Sequence, residues 1–164
     1  LGAVPGVTDA SVVSALPLAE GGMRISGDFA LEGQTQSLTN QLASKLAVSP
    51  GYFRSMGIPL ISGRVFTDAD AQPAPGVVII SEALAKEVWP RGDAIGQRID
   101  IGFTGEKART VVGIVGDVRQ DKLDSQPQHG IYAPYLQTPR VWQLAEMCFV
   151  VKSRPLTQKP RSHR

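Results

Sequence analysis

The stretch from Val48 to Thr67 limits what this chain can build more sharply than any other. It reads Val48-Ser49-Pro50-Gly51-Tyr52-Phe53-Arg54-Ser55-Met56-Gly57-Ile58-Pro59-Leu60-Ile61-Ser62-Gly63-Arg64-Val65-Phe66-Thr67. Pro50 is tolerated in a first helical turn, and the Ser49 hydroxyl can accept a backbone N–H at the helix start. Gly57 can take the left-handed conformation that ends a helix, and Pro59 blocks its resumption. These residues predict a helix confined to 51–56 and then a return loop. Punctuation of this density recurs along the chain: the 164 residues include 17 Gly and 12 Pro, while only 6% are aromatic. Such a chain turns often and rests its core on short aliphatic strands.

Strands are predicted over 7–16, after a turn at Pro5-Gly6, and over 24–32, where Ile25, Phe29 and Leu31 alternate with polar neighbours around Gly27. A Gln-, Ser- and Thr-rich loop at 33–40 leads to a strand over 43–48. Thr67-Asp68-Ala69-Asp70 has the spacing of a capping box, which accounts for both carboxylates without a metal. Val77-Val78-Ile79-Ile80 predicts a buried strand, Ser81 a cap for a helix over 82–88, and Trp89-Pro90 the stop. Strands over 98–103 and 109–118 flank a hairpin-sized gap at 104–107, and two more cover 130–135 and 146–152. Strands with two isolated short helices predict an α+β fold and not a regular βαβ array.

A chain of this length with 42% hydrophobic residues can bury one core, or two small lobes sharing a hinge. No apolar segment approaches the roughly 20 residues that cross a bilayer. There is no N-terminal signal pattern, so a targeting element of an exported parent would lie outside these residues. The formal net charge of +2 hides a segregation. Lys152, Arg154, Lys159, Arg161 and Arg164 close the chain with no acid among them, leaving 12 basic against 15 acidic residues before them. A mildly acidic body without interleaved basic and aromatic residues speaks against nucleic acid as a partner. Cys148, the only cysteine, rules out an internal disulfide or a Cys-rich metal site, and its apolar neighbours predict a buried, inert thiol.

No motif carries catalysis. Val112-Gly113-Ile114-Val115-Gly116-Asp117 lacks the third glycine of a dinucleotide fingerprint and opens no helix. Its glycines instead predict a bulge or a close backbone approach. Of the two histidines, His163 sits in the polar tail, and His129 has neither a nucleophile elbow nor a zinc-binding partner motif. Asp68 and Asp70 fail the calcium-loop template. Glu82, Glu87 and Asp93 read as surface charge. We therefore expect no catalytic residue, no cofactor site and no metal site.

The order of several blocks carries a resemblance. After the segment from Ser49 to Thr67 come Val77-Val78-Ile79-Ile80-Ser81-Glu82-Ala83-Leu84-Ala85, Trp89-Pro90, Asp93-Ala94-Ile95-Gly96-Gln97-Arg98-Ile99 and the run from Thr110 to Arg119. Ile131-Tyr132-Ala133-Pro134-Tyr135 and Phe149-Val150-Val151-Lys152 follow. Over roughly residues 4–152 the chain resembles the MacB-like periplasmic core domain of ABC transporter permeases, especially the duplicated-permease branch of acidobacteria. The resemblance implies a non-catalytic domain inserted after a permease's first transmembrane helix and built of two lobes with antiparallel or mixed sheets. Residues 1–63 would belong to a first mixed α/β lobe, 64–145 to an inserted β-rich lobe with the helix 82–88, and 146–152 to a return strand. Residues 153–164 would form an unstructured tail. Pro50, Gly51, Gly57, Pro59, Gly63 and Gly96 match the family pattern as backbone-geometry positions. Implied partners are the permease's transmembrane segments and a cytoplasmic ATPase, with a periplasmic adaptor and a homodimer in the intact transporter as compatible additions. The implied role is transmission of conformational change in efflux, on the periplasmic side of a bacterial inner membrane. A free-standing periplasmic binding or assembly module is the alternative, and a small enzyme would minimally require a cleft holding His129 beside a carboxylate.

Overall fold

A computed structural model of the chain describes residues 5–18, 25–33, 42–102, 108–118, 129–138 and 147–154. The expected hairpin turn at 104–107, all but the first residue of the loop at 33–40, and the tail beyond Arg154 lie outside them. Ten strands form one mixed sheet: β1 (Val7–Val13), β2 (Ile25–Gly27), β3 (Ala30–Leu31), β4 (Ala43–Val48), β5 (Leu60–Gly63), β6 (Val77–Ser81), β7 (Arg98–Asp100), β8 (Arg109–Val115), β9 (His129–Pro134) and β10 (Cys148–Ser153). Two short α-helices, α1 (Tyr52–Met56) and α2 (Glu82–Val88), and two 3-10 turns at Asp68–Asp70 and Tyr135–Gln137 complete it. This is an α+β fold.

The sheet runs β10-β1-β4-β9-β6-β8-β7-β3, with β2 joined to β4 and β5 to β8. β4 and β9 are parallel, as are β6 and β8, and the remaining pairs are antiparallel. Its central strands are apolar on both faces. Val78 and Ile80 of β6, with Ile131 and Ala133 of β9, face a core covered by Leu84, Ala85 and Trp89 of α2 and its exit, together with Phe29 and Ile99. Val77 and Ile79, with Tyr132, face the opposite core, covered by Tyr52 and Phe53 of α1 and by Phe66. Double burial explains why β6 reads as an unbroken aliphatic run.

The segments 1–63 and 64–145 interleave in this sheet, since β4 pairs with β9 and β5 with β8. Some expectations are corrected in detail. The strand predicted over 24–32 is two strands with different partners, β2 on β4 and β3 on β7, because Phe29 between them turns into the α2-side core. Leu60–Gly63, read as loop, is a strand held by β8. β10 extends to Ser153, one residue into the expected tail. Ser49 does not cap α1: Gly51 is the N-cap, and the Ser49 hydroxyl accepts the Val12 N–H at 3.0 Å, tying the approach to α1 onto β1. Cys148 is half-buried, with Phe149 and Val151 beside it exposed, because β10 is an edge strand with one face uncovered among the described residues.

Candidate functional site

Three polar clamps fix the layers to one another. Arg54 on α1 donates from Nε to Asp9 Oδ2 at 2.6 Å and from an Nη atom to Oδ1 at 3.0 Å. The hydrogen bond from Arg54 holds the Asp9 carboxyl below the usual range. Arg64 donates to both oxygens of Asp70, each at 2.7 Å, and the Thr67 N–H adds a 2.8 Å bond to Asp70. The capping box expected at 67–70 is present, and the Arg64 hydrogen bonds, first among several causes, lower the Asp70 pKa. The third clamp is buried. Gln137 accepts from the Val77 N–H at 3.1 Å, donates to the Pro75 carbonyl at 2.9 Å, and offers its own carbonyl to Arg109 at 3.0 Å. No sequence pattern pointed to Gln137 or Arg109, because their pairing joins elements distant in the chain.

Lys45 is another group sequence reasoning missed. It lies on β4 with 7% exposure, its ammonium donating to the Asp28 carbonyl at 2.6 Å. Burial lowers its pKa, and the nearby Asp28 and Asp100 charges oppose that shift. Tyr52 has no exposed surface; its hydroxyl meets no hydrogen-bond partner among the described residues, and burial pushes its pKa up to about 12.

Of the family-pattern positions, Pro50, Gly51 and Gly57 surround α1, and Pro59, Gly63 and Gly96 gather along β8. Gly51 has ordinary right-handed helical angles. Gly57 is the left-handed C-cap at φ 68°. The Pro59 carbonyl accepts the Gly116 N–H, and the Gly96 N–H reaches the Val111 carbonyl, both at 2.9 Å. Gly63 combines φ 75° with a site where a Cβ would collide with the Val112 carbonyl and press on Gly113. Gly113 in turn sits against the Arg64 carbonyl at a register shift between β6 and β8. The glycines of 112–117 therefore make a bulge and a close approach, not a phosphate loop.

His129 opens β9 and stands 2.8 Å from Glu87 of α2, Nε2 to Oε2. It is the histidine and carboxylate pairing that an enzyme would minimally require, yet it lines neither of two grooves on the surface. One, of about 440 Å³, is lined by Gly6, Val7, Thr8 and Arg154. The other, of about 410 Å³, is lined by Leu31, Glu32, Trp89, Gly96, Gln97 and Arg98. Glu82 pairs with Lys86 within α2 at 2.7 Å, and Asp117 accepts the Ala83 N–H at the helix start, so these acids serve α2. Among the described residues no three potential ligands gather around a metal position, and no helix is long and apolar enough to cross a membrane. The geometry is that of a clamped, doubly packed sheet.

Comparison with known proteins points the same way. The family model of the MacB-like periplasmic core domain matches residues 2–158. An uncharacterized ABC transporter permease of Bacillus subtilis (strain 168), YvrN, is 31% identical over 101 residues, which are 60% of this chain and 23% of that permease. The periplasmic region of MacB from Actinobacillus actinomycetemcomitans shares the fold with a TM-score of 0.63 at 18% identity, over 93% of this chain and 60% of that one. The extracellular domain of the noncanonic ABC-type transporter YknZ from Gram-positive bacteria gives 0.64 at 15% identity, over 96% and 71%. The chain thus spans a minor part of the curated permease it matches.

Proposed function

Because the chain belongs to the family of MacB-like periplasmic core domains, we propose that it is the non-catalytic extracytoplasmic part of an ABC-type efflux permease and passes ATP-driven motion to cargo or partner subunits. The match over residues 2–158 carries this reading, and the clamps that join α1 to β1 and the Gln137 turn to β6 and β8 support it, since a transmitting body must move without deforming. The partners in this proposal are the permease's transmembrane segments and a cytoplasmic ATPase, with an extracytoplasmic adaptor and a second permease copy as further contacts. The family-pattern residues serve backbone geometry, and segments 1–63 and 64–145 move as one body through the shared sheet.

Two measurements test the proposal. Translation of the gene on either side should reveal apolar runs of roughly 20 residues. In the reconstituted permease with its ATPase, spin labels at exposed Ser62 and Asp93 should keep a constant mutual distance through the ATP cycle. Labels on this domain and on a transmembrane segment should change theirs. Flanks without membrane segments, or a domain that stays fixed relative to the membrane part, would refute it.

A further inference from the structure

We propose that residues 25–31 form a strap that closes part of the sheet into a ring, and that this strap, latched by the Lys45 ammonium, opens without unfolding the rest. Ala43 to Lys45 pair with β9 on one edge of β4 and with β2 on the other. Ile99 of β7 likewise pairs with Arg109 of β8 on one side and with Leu31 of β3 on the other. Only Asp28 and Phe29 separate β2 from β3. The paired strands therefore run β4-β9-β6-β8-β7-β3 and return through β2 to β4, a closure that leaves no free edge along that path. Ala43, Ile131, Val78, Val111, Ile99 and Phe29, from every part of this circuit, share one buried cluster. The α2-side core is the interior of the ring.

The strap is lightly held. β2 contributes three residue pairs and β3 two, against six between β4 and β9. Phe29 is the one buried residue from Ile25 to Leu31, whereas β6 is buried along its whole length. Segments with short ladders and few buried side chains are those that open locally. Between the two ladders the Asp28 carbonyl accepts from Lys45 Nζ at 2.6 Å. That ammonium joins three elements: β4 carries it, the strap receives it, and the charge of Asp100 on β7 acts on it together with that of Asp28. Gly27 and Gly102 leave it room, since a Cβ on them would stand 3.0 Å and 3.4 Å from Nζ. A hydrogen bond from a charged donor holds more strongly than a neutral one, so this contact decides how readily the middle of the strap lifts. With the strap open, β4, β9, β6, β8 and β7 still keep their pairs with one another. Nothing in this inference depends on the proposed role in transport.

The test is hydrogen exchange of the 164-residue chain in low urea, read by mass spectrometry for residues 25–31, 77–81 and 129–134. Exchange in 25–31 should be the fastest of the three and nearly indifferent to urea, while the other two accelerate with it as global unfolding demands. Lys45→Met keeps the reach of the side chain and removes its charge. It should speed exchange in 25–31 roughly tenfold or more and leave the chain folded, because the open form does not use the latch. Gln137→Leu loosens β6 outside the strap, so it should accelerate 77–81 and leave 25–31 as in wild type. Exchange in 25–31 that rises in parallel with 77–81, whether in urea or with Gln137→Leu, would show that the strap opens only when everything unfolds. Unchanged exchange in 25–31 of Lys45→Met would show that Lys45 is no latch. A Lys45→Met chain that no longer folds would show that the strap cannot open alone. Each of these three results overturns the proposal.

Discussion

Gly63→Ala should destabilise the domain far more than Gly57→Ala, although both glycines have left-handed angles, φ 75° and φ 68°. At Gly57 a Cβ would meet nothing within 4 Å. The cost there is the left-handed conformation alone, about 1 kcal/mol after the gain from stiffening the unfolded chain. At Gly63 the same penalty applies, and the added methyl would overlap the Val112 carbonyl and stand 3.0 Å from Gly113 Cα and Ile95 Cδ1. Ile95 can turn aside, but the backbone of β8 cannot. β5 must then lift from β8, giving up the Arg64 N–H bond to the Val112 carbonyl, now 2.9 Å, and part of the β5–β8 ladder. At about 1 kcal/mol for each bond lost, the total reaches about 3–4 kcal/mol. Urea unfolding followed by tryptophan fluorescence and far-UV circular dichroism measures both variants. Asparagine separates the two causes, because it tolerates left-handed angles but carries a Cβ: Gly57→Asn should be nearly neutral and Gly63→Asn as harmful as alanine. If Gly63→Ala falls within about 0.5 kcal/mol of Gly57→Ala, less than a single lost bond, the argument from close approach fails.

Tyr52→Phe should leave stability unchanged or raise it by up to about 1 kcal/mol, since it removes a buried hydroxyl without a partner. Burial raises the Tyr52 pKa from 10.0 to about 12, so the folded state resists its ionisation. The associated stability is complete below the unfolded pKa, near 10, and is lost as pH rises through the folded value. Unfolding free energies between these limits should fall more steeply for wild type than for Tyr52→Phe, and parallel slopes would contradict the assignment. Gln137→Leu should cost about 2 kcal/mol or more by stranding the Val77 N–H and the Pro75 carbonyl. Hydrogen exchange at Val77 should accelerate with it, whereas unchanged protection would show that the buried clamp is dispensable.

The sequence revealed what neighbouring residues decide. The Ser81 cap, the stop at Trp89-Pro90, the box at Thr67 to Asp70 and the glycine bulge in β8 all follow from local chemistry, and the α+β class follows from their order. Long-range pairing stayed hidden. Ser49 has the right spacing to cap α1, yet its hydroxyl serves Val12, 37 residues earlier. Leu60–Gly63 has no burial pattern of its own, with all four residues exposed, and becomes a strand only because β8 offers an edge. Lys45 and the Gln137–Arg109 clamp look like ordinary surface residues until the sheet closes over them. The contact between His129 and Glu87 joins β9 to α2 and was equally unreadable.

The strand order also sets a timetable for biogenesis. β4 can gain its parallel neighbour only when β9 has been synthesised, and β1 waits for β10, to which Thr8 bonds across 144 positions. Loops of that length close slowly, and few local contacts reward the chain beforehand. During export, β1, β2 and β4 can pair among themselves, but β1 and β4 would each emerge as a ribbon with one open edge and stay so for most of translocation. Until β9 and β10 arrive, quality control depends on whatever shields those ribbons, and a pause between the two halves of the message would be more damaging than most single substitutions.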